Sequence, residues 1–179
     1  MDEAAPKPNV PLHPGVSAVI LNESGQALIM KRSHSDYWCL PGGRIDQAES
    51  AQESCVREIL EETGLIVEIV RLISSNTDPH SVVHYPDGNV HRSFVLCFEV
   101  KIVEGELTTS DESSGFDWIG PDQLDKYLLI PDSRLNLIDA WSNTACCIIR
   151  WGLAQNLQEL QDDPKQLLKL SQNSGAWTL

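Results

Sequence analysis

The sequence predicts a domain that combines helices and strands in layers, of the α/β or α+β class. Apolar runs typical of strands lie before and after one strongly helical pattern in the middle of the chain, and a second helical pattern lies towards the C-terminal end. Elements in this order pack as helix against sheet. The 179 residues, of which 41% are hydrophobic, are enough for one domain with a core of its own.

The N-terminal third is predicted to hold an arm and two strands. Residues 1–14 are expected to form a flexible arm, because prolines lack the backbone donor that a helix or a central strand needs. Four prolines lie there: Pro6, Pro8, Pro11 and Pro14. Residues 16–21 and 26–31 are apolar enough to predict two strands. The turn residues 22–25 between them indicate a hairpin.

A helix is predicted from about Ser50 to Thr63. Ser50 followed three residues later by Glu53 is a capping-box pattern for its start, and Gly64 is typical of the position just after its end. Upstream, the Pro-Gly-Gly segment at residues 41–43 predicts a tight turn. Its backbone is expected to come close to another group, because glycine has no side chain.

The rest of the chain predicts further strands, helices and an extension. Strands are expected at residues 65–74, 93–100 and 116–119, with polar loops at 75–88 and 111–115. Residues 121–124 predict the start of a helix, and residues 135 to about 153 predict another. The domain is expected to cover residues 15–145, with a C-terminal helical extension at 146–179. Leucines in that extension would pack on the core or on a second copy, so a homodimer is compatible with the sequence.

Net charge and cysteine usage restrict the function and the location. The formal net charge of -13 disfavours binding to nucleic acid or to an anionic membrane surface, and no apolar run has spanning length. A small anionic substrate would need a bound cation. The N terminus lacks the pattern of a signal peptide, and five cysteines within apolar stretches predict core residues in a reducing compartment. A cytoplasmic protein is expected.

The predicted central helix carries three glutamates, Glu58, Glu61 and Glu62, at spacings that place them on one face. Like charges this close destabilise an isolated helix by roughly 0.2–0.5 kcal/mol per pair. One interpretation is a solvated acidic face. The other is a divalent-cation site, because Mg²⁺ prefers carboxylate oxygens and retains waters that substrate phosphates can replace.

The spacing across residues 43–65 favours the cation site. The residues that fix the spacing are Gly43, Glu49, Arg57, Glu58, Ile59, Glu61, Glu62, Gly64 and Leu65. This pattern resembles the Nudix box at every fixed position. With each residue type at roughly 5–7% of ordinary usage, a chance match in one chain is well under about one in a million.

The resemblance implies an α+β fold, an α/β/α sandwich with a mixed sheet and a loop–helix–loop catalytic motif. It also implies a hydrolase that cleaves a phosphoanhydride bond with Mg²⁺, for which Mn²⁺ can substitute. The implied metal ligands are Glu58, Glu61, Glu62 and the backbone carbonyl of Gly42. Arg57 and Glu49 would pair across the start of the helix and orient the loop.

A further acidic residue is implied in the loop before a tryptophan-containing strand. Glu112 is the preferred residue and Asp111 the alternative, because both precede the strand that contains Trp118. Glu112 would be a metal ligand and, with Glu58 and Glu61, a catalytic carboxylate. The resemblance leaves open whether Glu112 or Glu58 is the general base that takes a proton from the attacking water.

The expected substrate is a small nucleotide. In the ADP-ribose-hydrolysing branch of the Nudix family a proline lies about fifteen residues after the box glycine, and Pro79 has that distance from Gly64. This resemblance favours ADP-ribose or a similar nucleoside diphosphosugar over a nucleoside triphosphate such as an oxidised dNTP. A non-catalytic nucleotide sensor is the third alternative, and it is disfavoured because all the box glutamates are present.

Three more residues are candidates for substrate binding. Arg32, at the end of the second predicted strand, could bind a phosphate, and Arg92 is given the same role. Trp38, just before the Gly-Gly turn, could stack on a base. The alternative interpretations are solvated strand ends for the two arginines and a core or pocket-wall residue for Trp38.

Overall fold

The computed structural model of the chain describes residues 10–78, 82–84, 90–142, 147–150 and 177–178. The strands are β1 (Leu12–Ile20), β2 (Ala27–Arg32), β3 (Trp38–Cys39), β4 (Leu65–Asn76), β5 (Val82–His84), β6 (Val90–Gly105), β7 (Ser113–Ile119), β8 (Ile148–Arg150) and β9 (Trp177–Thr178). The helices are α1 (Ala51–Thr63), α2 (Pro131–Trp141) and a 3₁₀ helix (Pro121–Lys126).

The chain divides into two units. The larger unit consists of Gly15–Ser74 and Leu96–Cys147, and the smaller unit consists of Met1–Pro14, Ser75–Val95 and Ile148–Leu179. This division differs from the predicted 15–145 domain because the chain leaves the larger unit after Ser74 and returns to it at Leu96. None of the helices in the described part of the chain has the length and apolar character that a membrane crossing requires.

In the larger unit, β2 is the central strand of an antiparallel sheet in the order β3-β2-β7. Met30 pairs with Cys39, and Lys31 pairs with Trp38. Because successive side chains of a strand point to opposite faces, Cys39 and Trp38 lie on opposite faces of this sheet. The ladder between β2 and β7 has an irregularity between Lys31 and Arg32, at the end of β2.

A second sheet contains parallel and antiparallel pairs. β6 pairs with β1 and β4. In the smaller unit, β5 pairs antiparallel with the start of β6, with Val82 opposite Arg92, and parallel with β9, with Val83 opposite Trp177. The mixed sheet and the α+β class are therefore confirmed.

Apolar side chains of the larger unit form two buried clusters. Ile20 of β1 belongs to the cluster that contains Ile59 of α1. Val19, the preceding residue, belongs to the cluster that contains Leu137 of α2. Since neighbouring residues of β1 point to opposite faces, α1 and α2 cover different faces of the strands, which is the predicted α/β/α layering.

The predicted central helix is confirmed. The Ser50 side chain accepts a hydrogen bond from the Glu53 N–H, and the Glu53 carboxylate accepts one from the Ser50 N–H at 2.8 Å, so the capping box is complete. Gly64 ends the helix in the left-handed conformation, at φ 75°. Its N–H donates to the Leu60 carbonyl at 2.9 Å. Local sequence signals thus fix both ends of α1.

The predicted hairpin of β1 and β2 is wrong. The Asn22–Gly25 turn is present, with the Gly25 N–H donating to the Asn22 carbonyl at 2.9 Å. Beyond one bridge, between Leu21 and Ala27, the two strands separate into different sheets. The reason is that each strand is buried on both faces and finds its partners far along the chain.

The helix predicted from residue 135 to about 153 is confirmed over residues 135–141 and is wrong at 148–150. α2 begins earlier, at Pro131, and ends at Trp141. Ile148–Arg150 is a strand, in keeping with the preference of β-branched isoleucine for strands. Within the predicted helical extension at 146–179, both segments described as regular structure, β8 and β9, are strands, and the remainder lies outside the described residues.

Several strands are longer than predicted. β1 begins at Leu12, inside the predicted N-terminal arm, and the Pro11 carbonyl accepts a hydrogen bond from the Arg92 N–H at 2.9 Å. β5 lies inside the predicted 75–88 loop, and β7 begins at Ser113, inside the predicted 111–115 loop. Backbone pairing to distant strands extends these elements beyond what their own polar sequences indicate.

Candidate active site

The three box glutamates of α1 differ in burial. The Glu61 side chain is 59% exposed and the Glu58 side chain 16% exposed, while Glu62 as a residue is only 4% exposed. Glu62 follows Glu58 by four residues, so both lie on the same side of the helix. A surface helix that served only as a solvated acidic face would not bury one of its carboxylates.

The buried carboxylate of Glu62 lies against the glycine turn. Its Oε2 accepts a hydrogen bond from the Gly42 N–H at 2.7 Å. Burial, with the neighbouring charges of Glu58 and Glu112, raises the pKa of Glu62 to about 8, although the Gly42 hydrogen bond and Arg32 oppose the shift. The ionised form is thus costly in the protein alone, and a bound cation would stabilise it.

Both glycines of the turn are required by close contacts. Gly42 has φ +146°, and a Cβ there would lie 2.2 Å from the Val16 carbonyl oxygen. A Cβ on Gly43 would lie 2.4 Å from the Glu58 carboxyl carbon. The turn therefore lies directly against β1 on one side and against the Glu58 carboxylate on the other.

The three backbone carbonyls of the turn differ in whether they accept a hydrogen bond. The Pro41 carbonyl accepts from the Ala18 N–H at 2.9 Å, and the Gly43 carbonyl accepts from the Val16 N–H at 2.8 Å. The Gly42 carbonyl accepts no hydrogen bond from the residues that the structure describes. Of the three, it is the one still available to a ligand.

Arg57 connects the start of the motif to its acidic face. Its guanidinium binds the Glu49 carboxylate through two hydrogen bonds, Nε to Oε2 at 3.0 Å and Nη2 to Oε1 at 2.6 Å. The pairing lowers the pKa of Glu49 to about 2. Nη1 also donates to Glu58 at 2.9 Å and to Glu61 at 3.0 Å. The Arg57 guanidinium therefore orients three carboxylates, whereas the sequence predicted Glu49 as its one partner.

Glu112 approaches this group from the loop before β7. Its side chain is exposed, and its negative charge raises the pKa of both Glu62 and Glu58. Its backbone carbonyl accepts a hydrogen bond from the Ser33 N–H at 3.0 Å. The loop before the tryptophan-containing strand thus carries a carboxylate whose charge acts on two glutamates of α1.

Arg32 reaches the same place from the end of β2. Its positive charge opposes the rise in the pKa of Glu62 and of the Cys39 thiol. Cys39 is 5% exposed, and burial raises the pKa of its thiol to about 11. The charge of Arg32 therefore acts on Glu62, and Cys39 is a buried core residue, as the sequence predicts.

The other substrate-binding candidates are Trp38, Arg92 and Pro79. Trp38 lies on the opposite face of its sheet from Cys39 and packs edge-on against Tyr127, with ring centroids 5.1 Å apart. This placement favours the core interpretation of Trp38. Arg92 belongs to the smaller unit, where its Nε is buried without a hydrogen-bond partner among the described residues. Pro79 lies outside the described residues.

The acidic residues fit a divalent cation but are not already arranged around one. Within the described part of the chain, no three His, Cys, Asp or Glu side chains converge as a ready-made metal site. Arg57 accounts for part of this, because its Nη1 lies between Glu58 and Glu61. Oxygen-only donors, a buried carboxylate with a raised pKa and an available carbonyl are the chemistry that Mg²⁺ or Mn²⁺ requires.

Comparisons with known proteins agree with this geometry. The model of the NUDIX domain family matches residues 11–139. A protein of Bacillus subtilis (strain 168) that carries the provisional name 8-oxo-dGTP diphosphatase is 34% identical over 126 residues, which cover 70% of this chain and 77% of that protein. The ADP-ribose pyrophosphatase of Methanocaldococcus jannaschii is 28% identical over 136 residues, which cover 74% of this chain and 77% of that protein.

A solved structure shows the same fold. The MutT protein from Methanosarcina mazei Go1 matches with a TM-score of 0.60 and 23% identity, over 78% of this chain and 100% of that chain. At this identity the match speaks for the arrangement of helices and strands.

Proposed function

The chain belongs to the NUDIX family of hydrolases, and from that premise we propose that it hydrolyses the phosphoanhydride bond of a nucleoside diphosphate linked to another group, with Mg²⁺ as its cofactor. The observation that carries the proposal is the buried carboxylate of Glu62, which accepts a hydrogen bond from the Gly42 N–H at 2.7 Å and shares its face of α1 with Glu58. Carboxylates this close to one another repel, and a bound cation would offset that repulsion.

The proposed ligands come from three parts of the chain. They are Glu58, Glu61 and Glu62 of α1, the Gly42 carbonyl of the turn, and Glu112 of the loop before β7. When bound, Mg²⁺ would supply positive charge to the phosphate oxygens and activate the attacking water, and Mn²⁺ can take its place. Family membership carries divalent-metal dependence in general, and the choice of Mg²⁺ is part of this proposal.

Other residues have proposed roles in orienting the site, binding phosphate and accepting a proton. Arg57 and Glu49 hold the loop and the helix in register through their paired hydrogen bonds. Arg32, beside Glu62, is placed to bind a phosphate oxygen of the substrate. Glu62 is engaged with the Gly42 N–H, which leaves Glu58 and the exposed Glu112 as candidates to accept the proton of the attacking water.

Two substrates remain in contention. A nucleoside diphosphosugar such as ADP-ribose is favoured by the position of Pro79 relative to Gly64 and by the name of the Methanocaldococcus jannaschii relative. An oxidised deoxynucleoside triphosphate is favoured by the name of the Bacillus subtilis relative. We propose the diphosphosugar first, because both substrates present the same diphosphate to the glutamates and only Pro79 distinguishes them within the sequence.

The experiment is a substrate panel with product identification. The purified full chain with Mg²⁺ is incubated with ADP-ribose, 8-oxo-dGTP, a dinucleoside polyphosphate and a 5′-triphosphorylated oligoribonucleotide. We expect AMP and ribose 5-phosphate from ADP-ribose. Conversion of 8-oxo-dGTP to its monophosphate and pyrophosphate instead would select the alternative, and turnover of the oligoribonucleotide would contradict the expectation that nucleic acid is not a partner.

A pair of variants separates the enzyme from a nucleotide sensor. Glu62→Gln keeps the shape of the buried side chain and should lose more activity than the roughly 10–100-fold typical of residues that only support a metal ligand. Glu68→Gln is the matched control, since Glu68 lies on β4 and its exposed side chain pairs with Lys101. No turnover in the wild type would support the sensor, and turnover that survives Glu62→Gln would contradict the proposed role of Glu62.

Location and oligomeric state stay predictions. The cytoplasmic location is inferred from composition, and the homodimer from a C-terminal segment that lies mostly outside the described residues. Sedimentation of the full chain measures the oligomeric state directly.

A further inference from the structure

The hydroxyl of Ser113 connects the loop that carries Glu112 to the helix that carries Glu62. Its Oγ donates to the backbone carbonyl of Glu62 at 3.1 Å. It also accepts a hydrogen bond from the Ser110 N–H at 2.9 Å and contacts the Ser110 hydroxyl at 3.2 Å. Ser113 is 2% exposed, so these bonds form away from solvent, where an unpaired donor or acceptor is costly.

The same loop is anchored at further points before Ser113. The Thr108 N–H donates to the carbonyl of Thr63, the last residue of α1, at 2.9 Å. The Glu112 N–H donates to the Ser110 hydroxyl at 3.3 Å, and the Glu112 carbonyl accepts from the Ser33 N–H at 3.0 Å. The Glu112 backbone is therefore held firmly, while its side chain is exposed and free to turn towards the α1 carboxylates.

We propose that Ser113 is a positioning residue, whose hydroxyl fixes the distance between Glu112 and the carboxylates of α1. The inference rests on the proposed function, in which Glu112 joins Glu58 and Glu62 around the cation. Ser113 is suited to this because one hydroxyl bonds to the residue that bears the buried ligand and to the turn that bears the exposed one. The Ser113 bonds thereby hold the loop that carries Glu112 against α1.

The neighbouring Ser114 provides a matched control. It is the same residue type, one position along β7, and its side chain is exposed. Its hydroxyl is 3.4 Å from the Lys31 carbonyl, a bond at the limit of useful length. Replacement of Ser114 by alanine changes composition and strand propensity as the Ser113 change does, but leaves the contact with α1 intact.

The test is a double-mutant cycle between Ser113 and Glu112. Ser113→Ala is expected to lower kcat by about 10–100-fold, the usual effect of losing a partner that orients a metal ligand, with KM little changed. Ser114→Ala should leave kcat as in the wild type. If Ser113 acts through Glu112, then adding Ser113→Ala to Glu112→Gln should change kcat by about twofold or less.

A merely structural role gives a different result. In that case Ser113→Ala would lower kcat by the same factor with or without the Glu112 carboxylate, and such additivity would overturn the proposal. An unchanged kcat in Ser113→Ala would overturn it as well. If Ser113→Ala does not fold, Ser110→Ala takes its place in the cycle. This variant removes the hydroxyl that both the Glu112 N–H and the Ser113 hydroxyl contact. Ser110 is less buried than Ser113, so its replacement disturbs the fold less.

Titration with Mn²⁺, followed by electron paramagnetic resonance, separates this inference from the proposed function. Ser113→Ala should bind Mn²⁺ more weakly than the wild type, and Ser114→Ala should bind it equally well. If the wild type hydrolyses nothing in the substrate panel, the proposed function fails and this titration alone decides the role of Ser113. Equal Mn²⁺ affinity in the wild type and Ser113→Ala would overturn the inference whatever the substrate.

Discussion

The carboxylate of Glu58 occupies the space that a side chain at position 43 would need. A Cβ on Gly43 would lie within 2.5 Å of all three carboxyl atoms of Glu58, and Gly43 has a negative or extended φ that alanine can adopt. The obstacle to a larger residue is therefore the Glu58 side chain and not the backbone. Since the end of a glutamate is flexible, the helix can fold around the change by moving its carboxylate.

Gly43→Ala is accordingly predicted to keep the stability of the wild type and to lose hydrolytic activity, because Glu58 is displaced from its place beside the turn. Thermal unfolding and kcat, measured on the same preparation, check this. Gly115→Ala is the control, because a Cβ there meets nothing within 4 Å. A Gly43→Ala enzyme with full activity would show that Glu58 need not lie against the turn.

Gly42→Ala is predicted to act in the opposite way, on stability. Gly42 has φ +146°, which alanine avoids, and the added Cβ would lie 2.6 Å from Ser17 Cα in the backbone of β1. Strain of this kind costs about 1–3 kcal/mol, and the backbone clash adds to it. Urea unfolding should show a lower midpoint for Gly42→Ala than for Gly43→Ala, and an equal midpoint would contradict the close approach.

The start of α1 depends on the Ser50 cap. Ser50→Ala removes the acceptor for the Glu53 N–H and is predicted to lower the free energy of unfolding by about 1 kcal/mol. Ser50→Asp keeps an acceptor and should restore most of it. Because Ser50 lies eight residues before Glu58, kcat should be unaffected in both variants. A loss of kcat without a loss of stability would mean that the cap has a role beyond the helix.

The pairing of Glu49 with Arg57 makes stability depend on pH. The pKa of Glu49 falls from an ordinary 4.5 to about 2, chiefly through its hydrogen bonds from Arg57. The folded state therefore favours the ionised carboxylate. The stabilisation is fully present above about pH 4.5 and is lost as the pH falls from there through about 2.

Denaturant unfolding at several pH values checks this dependence. Wild type should exceed Glu49→Gln in stability at pH 7, and the difference should shrink as the pH is lowered below the ordinary pKa of the carboxyl group. In an Arg57→Gln background the difference should depend on pH much less, because only the Asp46 N–H and the Ser54 hydroxyl still favour the ionised carboxylate. A constant difference in the presence of Arg57 would show that Glu49 is not held by the guanidinium in solution.

Features set by local chemistry could be predicted from the sequence. The ends of α1 follow from Ser50, Glu53 and Gly64, all within the helix or beside it. The common face of Glu58 and Glu62 follows from their spacing. That the loop with Glu112 precedes the strand of Trp118 follows from their order along the chain.

Features set by distant contacts could not be predicted. The hydrogen bond of Ser113 with the Glu62 carbonyl joins residues 51 positions apart, and serine in a polar segment gives no sign of it. The pairing of β2 with β7 rather than β1 has the same cause, since a strand that is apolar on both faces accepts several partners. The face of the sheet that Trp38 occupies could not be predicted either, because only its register with Lys31 decides it.

Direct measurement of cation binding tests the central claim. Mg²⁺ is titrated calorimetrically into the metal-free wild type, Glu58→Gln, Glu62→Gln and the control Glu68→Gln. The account predicts saturable binding to the wild type and to Glu68→Gln, and binding weakened by at least about tenfold in the two box variants. Equal binding to all four proteins, or no saturable binding to the wild type, would contradict it.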